Sequence, residues 1–106
     1  MQTFAEFWPF YLNEHKKPLT RALHFTGTSL SIVLILSALA LQRPLLIVPA
    51  VLCGYAFAWA GHFFVEHNKP ATFKYPVWSF AADLRMLAFA LSGRLTAELE
   101  KAGVAQ

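Results

Sequence analysis

Two long stretches without a charged residue constrain this chain more than any other feature. The first covers residues 22–42, and the second runs from Pro44 to Val65. At a helical rise of about 1.5 Å per residue, each is long enough to cross about 30 Å of hydrocarbon. Since little more than Gln42 and Arg43 separates the two spans, we expect them to pack as an antiparallel hairpin.

The composition agrees with a small membrane-embedded chain. Its 106 residues suit a single domain, residues 1–106, because there is no room for a second one. Hydrophobic residues make up 57% and charged residues only 14%, and the mean hydropathy is +0.45, which argues against an ordinary soluble enzyme. No basic run exceeds Lys16 and Lys17, so a nucleic-acid partner is not expected.

The segments outside the hairpin read as further helices. Thr3 and Glu6 have the spacing of a capping box and predict an interfacial helix near the start, in which Trp8 and Tyr11 suit either the headgroup zone or a packed aromatic core. The apolar pattern at about 77–92 predicts an interfacial or re-entrant helix rather than a third span, because it contains charged residues. The predicted fold class is all-α: an integral membrane helical hairpin with flanking interfacial or re-entrant helices.

The basic residues near the span ends predict the orientation of the hairpin. Arg43 stands alone at the closed end, whereas the open end has five basic residues: Lys16, Lys17, Arg21, Lys69 and Lys74. By the positive-inside rule, the open end faces the cytoplasm of a multi-pass membrane protein.

Four histidines are predicted to meet at this open end. His24 lies 19 residues before the turn and His62 lies 19 residues after it, so the hairpin brings them to the same depth. His15 and His67 flank the two spans within one or two helical turns of that level. Neutral imidazole is a common ligand of iron, zinc and copper, so we expect a mononuclear metal site. The alternative is four interface histidines bonded to lipid phosphate or to each other.

Three charged residues near the histidines are candidate catalytic residues. Glu66 lies four residues after His62 and could orient an imidazole. Asp83 is costly in an apolar helix unless it faces the site or pairs with a cation such as Arg85.

Two blocks of the sequence resemble a known family. NEHKKPLTRALHFTGT, residues 13–28, and GYAFAWAGHFFVEHNKPATFKYPVWSFAADLRM, residues 54–86, are similar to the signature blocks of a small membrane family. That family includes the fungal endoplasmic-reticulum 2-hydroxy fatty acid dioxygenase of phytosphingosine breakdown. The two blocks cover about half of the chain and contain every histidine.

The resemblance implies an iron(II)-dependent dioxygenase that carries out fatty acid α-oxidation. Such an enzyme cleaves the C1–C2 bond of a 2-hydroxy fatty acid with O₂ and shortens it by one carbon. It implies Fe²⁺ as the cofactor and His15, His24, His62 and His67 as its ligands. Because the chain has few residues outside the core, we expect a bacterial member in the inner membrane, surrounded by lipid; whether it forms oligomers stays open.

The sequence contains candidate residues to bind both the carboxylate and the alkyl tail of such a substrate. Arg21 and Lys69 are candidates to neutralise the carboxylate, although both also suit positive-inside anchoring. Tyr55, Trp59 and Trp78 are candidates to line the tail channel, although helix packing would use them equally well.

Two other classes of function compete with the enzyme. A non-catalytic membrane subunit that binds metal or haem would need the same histidines. A small transporter is disfavoured, since neither span has a formal charge at its centre.

Overall fold

The computed structural model describes residues 1–104, and within them the secondary structure is entirely helical. The five α-helices are α1 Phe4–Asn13, α2 Pro18–Ala40, α3 Ile47–Ala60, α4 Pro76–Leu91 and α5 Leu95–Lys101. Short 3₁₀ turns, Pro44–Leu46 and Ala71–Phe73, precede α3 and α4, and a π-helical segment, Gly61–Glu66, extends α3. The prediction of an all-α fold is confirmed.

Helices α2 and α3 form the predicted hairpin. Pro18–Ala40 and Pro44–Glu66 are each 23 residues long with a mean hydropathy of 1.7, so both are long and apolar enough to cross a membrane. The first begins four residues before the predicted span, because Pro18 is well placed in the first turn of a helix. At the turn, Gln42 takes a left-handed conformation and the Arg43 N–H donates to the Ala38 carbonyl.

Small residues let the two helices of the hairpin approach closely. A Cβ atom added to Gly27 would lie 2.7 Å from the Cβ of Phe57, and one added to Gly54 would lie 2.9 Å from Ser31 Oγ. Gly61, near the open end, faces Thr20 in the same way. Any side chain at Gly27 would therefore force the helices apart.

The outward faces of the hairpin are apolar and uncovered. Leucines such as Leu39, Leu45 and Leu52 are more than half exposed. Only 17% of the apolar window of the first helix and 11% of the second are buried inside the molecule. A helix in the core of a soluble protein would bury its apolar residues instead.

The other three helices build a separate aromatic core beside the open end of the hairpin. Helix α4 packs against α1, α2 and α5. Phe7, Trp8, Tyr11 and Met86 are buried there, so Trp8 and Tyr11 pack in a core rather than at the surface. The Thr3 hydroxyl caps α1 by accepting from the backbone of Glu6, as its spacing predicts.

Candidate metal centre

Three imidazoles converge at the open end of the hairpin. His15 Nε2 lies 3.0 Å from His24 Nε2, which lies 3.3 Å from His62 Nε2. One ligand atom from each of the three lies within 4.8 Å of the others, and all three side chains are buried. The structure thus brings together three of the four histidines that the sequence placed at this end.

Each histidine comes from a different element. His15 lies in the link between α1 and α2, and His24 lies two turns into α2. His62 belongs to the π-helical segment, a wider turn that is often found at functional sites. That segment ends where the Asn68 N–H donates to the His62 carbonyl, 2.9 Å away.

Hydrogen bonds on the opposite side of the rings orient two of the imidazoles. His15 Nδ1 lies 2.7 Å from the Tyr11 carbonyl oxygen, and His62 Nδ1 lies 2.7 Å from Asn68 Oδ1. A carbonyl oxygen only accepts, so each Nδ1 carries the proton and each Nε2 presents a lone pair. The Asn68 amide donates to the Glu14 carboxylate and backbone carbonyl, which fixes its oxygen toward His62.

A carboxylate orients the third imidazole. Asp83 Oδ1 lies 3.5 Å from His24 Nδ1 and accepts a hydrogen bond from the Tyr11 hydroxyl. Burial raises the pKa of Tyr11 well above its usual value, and the negative charge of Asp83 raises it further, so the phenol stays a donor. Tyr11 therefore supports two histidines, one through its carbonyl oxygen and one through Asp83.

Burial also keeps His15 in the form that a metal requires. It lowers the pKa of His15 well below the usual range, and the nearby His24 and His62 lower it further. His15 is therefore neutral at physiological pH, and neutral imidazole is the ligand form.

The arrangement fits a single metal ion. Three nitrogen lone pairs that face one another repel unless a proton or a cation lies between them. Ligands about 2.0–2.1 Å from one ion, at tetrahedral or octahedral angles, lie about 2.8–3.4 Å apart. The two Nε2 to Nε2 distances, 3.0 and 3.3 Å, lie in that range.

The structure does not bring His67 into this group. His67 is exposed and takes a left-handed conformation, with φ of 61°, at the end of the π-helical segment. The neighbouring Glu66 carboxylate accepts from the Lys17 N–H and the Thr20 hydroxyl at the start of α2. Glu66 therefore joins the ends of the two long helices rather than orienting an imidazole.

The predicted carboxylate-binding residues lie in different surroundings. Arg21 is buried, and its guanidinium donates to the carbonyl oxygens of His15 and Lys16, each 2.8 Å away. It thereby fixes the segment that holds His15. Lys69 is exposed in the loop after the π-helical segment.

Arg85 points away from the histidines. It lies two residues after Asp83, a rotation of about 200° around α4. Its guanidinium carbon lies 4.7 Å from the centre of the Trp8 ring and 5.1 Å from that of Phe89. The predicted catalytic role of Arg85 therefore has no supporting contact with the histidine group.

The three predicted tail residues do not line one channel together. Tyr55 packs on Trp59, and Trp59 also contacts Phe73. Trp78 belongs to the aromatic core, where it packs against Phe7 and the ring of Tyr75. Of the three, only Tyr55 lines the groove described next.

A groove of about 200 Å³ leads away from the histidine group between α2, α3 and α4. His24 and Asp83 line one end of it. The walls continue along the hairpin through Ser31 and Ile35 of α2 and Val51 of α3. The site thus combines a candidate metal centre with a largely apolar groove.

Tyr11 and Asn68 are functional candidates that sequence patterns did not indicate. Tyr11 precedes His15 by four residues, the spacing of neighbours on one helix face, and this spacing could have drawn attention to it. Asn68 directly follows His67, but its bond to His62 depends on the turn between them. No local pattern predicts that bond.

Comparison with known proteins gives one match. A family model described as "2-hydroxy-palmitic acid dioxygenase Mpo1-like" matches residues 1–95. None of the curated proteins and none of the solved structures matches the chain. The matched region contains the three converging histidines together with Tyr11, Asn68 and Asp83.

Proposed function

The chain belongs to the 2-hydroxy-palmitic acid dioxygenase Mpo1-like family, and we propose that it is an iron(II)-dependent dioxygenase that shortens 2-hydroxy fatty acids by one carbon. The observation that carries this proposal is the group of three buried histidines. Their Nε2 atoms converge while Tyr11, Asn68 and Asp83 hold or face their Nδ1 atoms.

We propose Fe²⁺ as the ion held by His15, His24 and His62. Imidazole nitrogen suits iron, zinc and copper alike, and the oxidation of a fatty acid by O₂ selects a redox-active metal. When bound, the iron would supply the redox chemistry with O₂ and coordinate the acid and hydroxyl groups of the substrate. The role of the protein is to orient the three imidazole ligands and to keep bulk water away from them.

The proposed reaction balances without a separate reductant. The C1–C2 bond of the 2-hydroxy acid breaks, and C1 leaves as CO₂. C2 is oxidised from an alcohol carbon to the new carboxyl carbon, and O₂ accepts all the electrons released as it is reduced to carboxyl oxygen and water. A fatty acid one carbon shorter, CO₂ and water are the products.

We propose that Asp83 lies between the metal centre and the bound substrate. Its carboxylate faces His24 and also lines the groove, so it can orient the imidazole and influence the bound acid. The Tyr11 hydroxyl holds Asp83 in this position.

We further propose that the chain is a multi-pass protein of a bacterial inner membrane. Two helices have the length and hydropathy of spans, and most of their apolar side chains are uncovered. Exposed lysines at the metal end, among them Lys16, Lys17 and Lys69, favour a cytoplasmic location for that end by the positive-inside rule.

The decisive experiment is reconstitution of the purified full-length chain with Fe²⁺. The protein is purified in detergent, its metals are measured, and it is loaded with iron without oxygen. It is then incubated with 2-hydroxypalmitic acid and O₂, and the products are identified by mass spectrometry. We expect one iron per chain and pentadecanoic acid. Tightly held zinc with untouched substrate would instead identify a non-catalytic metal-binding protein and refute the proposal.

A matched pair of variants tests the ligand assignment. His62→Ala removes one of the converging nitrogens, so we expect bound iron and turnover to fall together. His67→Ala changes an exposed side chain outside the group and is expected to retain iron. Loss of iron in both variants would support the fourth ligand implied by the family resemblance, whereas full iron in His62→Ala would refute the site.

A further inference from the structure

A largely apolar groove lies beside the candidate metal centre. We propose that it holds the acyl tail of the 2-hydroxy fatty acid and that Ile35 and Val51, at its far end, limit the length of tail accepted. The inference rests on the proposed function and assigns the part of the site that selects among substrates.

The groove is continuous with the metal centre. His24 belongs to the three-histidine group and lines the groove, and Asp83, which faces His24, lines the groove from α4. A substrate whose carboxyl end lies at these residues has one largely apolar path for its tail, along the hairpin. The groove and the metal centre are therefore two ends of one site.

The residues that line the groove on α2 recur at helical spacing. On α2, Thr28, Ser31 and Ile35 follow His24 at intervals of four, three and four residues, so a single helix face carries both the imidazole and the wall. Ile35 lies eleven residues beyond His24, which corresponds to about 16 Å along the helix axis. The groove therefore extends along the helix axis, as a single alkyl chain requires.

The facing wall on α3 is equally regular. The groove is lined on α3 by Ala58, Gly54 and Val51, each about one helical turn farther from the metal end than the one before. Gly54 packs closely against Ser31 of α2, so at this level the groove lies beside the contact between the two helices, toward α4. The Ser31 hydroxyl, midway along the groove, already donates to the Ala50 carbonyl, so it need not bond to an occupant.

Exposed apolar residues of α4 offer an entrance for an apolar ligand. Phe80 and Leu84 of α4 form part of the groove lining and are themselves exposed, Phe80 by 66%. They lie beside the apolar outer face of the hairpin, where a membrane would supply fatty acid directly. A phospholipid would bring two tails and no free 2-hydroxy acid, so a single acyl chain is the occupant that fits both ends.

The far end of the groove decides the fit of a long tail. Ile35 of α2 and Val51 of α3 both line the groove and are 40% and 48% exposed. In the sequence, neither of these two residues is close to a histidine. A larger side chain at either position would obstruct the distal carbons of a long tail and leave a short one in place.

The test compares Val51→Trp with Leu52→Trp. Leu52 neighbours Val51 on the same helix but does not line the groove, so it controls for adding a large ring to an apolar surface. For Val51→Trp we expect kcat/KM for 2-hydroxypalmitic acid to fall at least about tenfold, while that for 2-hydroxylauric acid stays within about twofold. An equal fall for both acids, or the same profile for Leu52→Trp, would overturn the inference.

A second pair of variants tests the effect of enlarging the groove instead of blocking it. Ile35→Ala should raise kcat/KM for 2-hydroxyarachidic acid relative to 2-hydroxypalmitic acid by about threefold or more, because it opens the far end. Leu36→Ala, an exposed neighbour outside the lining, should leave this ratio unchanged. An unchanged ratio for Ile35→Ala in active enzyme would contradict the assignment.

Photo-crosslinking tests the groove without turnover. A 2-hydroxypalmitic acid with a diazirine at its terminal carbon is bound without oxygen, and the labelled residues are mapped by mass spectrometry. We expect label at Ile35 and Val51, reduced by excess 2-hydroxypalmitic acid but not by a phospholipid. Label spread over Leu36, Leu39 and Leu52 would show partition into the detergent or lipid phase and would overturn the inference.

These measurements separate the two proposals. If the wild-type chain oxidises no 2-hydroxy acid but the label maps to the far end, the proposed reaction fails and the acyl groove stands. If the chain is active but neither pair of variants changes the chain-length profile, the groove assignment fails and the dioxygenase stands.

Discussion

At the scale of single residues, the groups behind the imidazoles matter as much as the imidazoles themselves. Asn68 is the clearest case, because its amide oxygen accepts from His62 Nδ1 and its amide nitrogen is held by Glu14. A ligand whose opposite nitrogen is fixed loses less freedom on binding a metal.

We expect Asn68→Ala to weaken metal binding about 10- to 100-fold, since partners of this kind contribute that much to affinity. Fe²⁺ or Co²⁺ titration of the purified chain, followed by absorption spectroscopy, measures the dissociation constant. Lys69→Ala removes the adjacent exposed side chain and serves as the control, with an expected change below about twofold. Equal dissociation constants for the two variants would remove Asn68 from the site.

Glu98 predicts a pH dependence of stability away from the metal centre. The Trp8 Nε1–H donates to its carboxylate at 3.0 Å, and this bond lowers the pKa of Glu98 below its usual value of 4.5, with Lys101 and Arg85 adding to the effect. Because the folded pKa is the lower one, the stabilisation is present above about pH 4.5 and is lost as the pH falls through the folded pKa.

Glu98→Gln should therefore unfold at a lower temperature than the wild type at pH 7, and the difference should shrink below pH 4.5. Thermal unfolding in detergent, followed by circular dichroism at several pH values, measures this. Glu100→Gln changes an exposed residue of the same helix and should show a smaller difference at pH 7. A difference that grows on acidification would contradict the sign.

At the scale of elements, the contact between α2 and α3 sets the distance between His24 and His62. The two imidazoles meet because the helices pack closely, with Gly27 against Phe57 one turn from His24. Helix packing of this kind depends on small residues that let backbones approach.

Gly27→Val should destabilise the fold by about 1–3 kcal/mol and weaken metal binding, because its side chain has no space beside Phe57. Ser29→Val, an exposed position on the same helix, controls for a β-branched residue. Denaturant unfolding and metal titration provide the two readouts. If Gly27→Val bound metal as tightly as Ser29→Val, the close contact would not be what sets the site.

At the scale of the whole molecule, the candidate metal centre joins segments that are far apart in the chain. His15 comes from the link after α1, whereas His24 and His62 come from the two arms of the hairpin. Asp83 brings α4 to the same point. An ion bound here stabilises the folded chain, because the unfolded chain cannot offer the three nitrogens together.

Removal of the metal should therefore lower Tm. At a free metal concentration of 100 times Kd, the bound form is more stable by about 2.7 kcal/mol. Differential scanning calorimetry with and without a chelator measures the shift. His62→Ala should show a much smaller shift on chelation, and a full-sized shift in that variant would place the stabilising ion elsewhere.

Several features could be predicted from local sequence because each depends on nearby residues. The two long helices follow from uninterrupted apolar runs, and the cap of α1 follows from the spacing of Thr3 and Glu6. The meeting of His24 and His62 also follows from sequence, since a short turn fixes their equal depth. Residues 13–28 and 54–86 were enough to indicate the family that the comparison confirms.

Other features were decided by tertiary structure alone. The left-handed turn at His67 leaves that side chain outside the group, and the rotation of α4 sends Arg85 to the aromatic core while Asp83 faces His24. Tyr11 and Asn68 acquire their roles across loops and between helices. Hydropathy and helical spacing determined which elements form and how deep their residues lie, whereas the direction of each side chain depended on packing between elements distant in sequence.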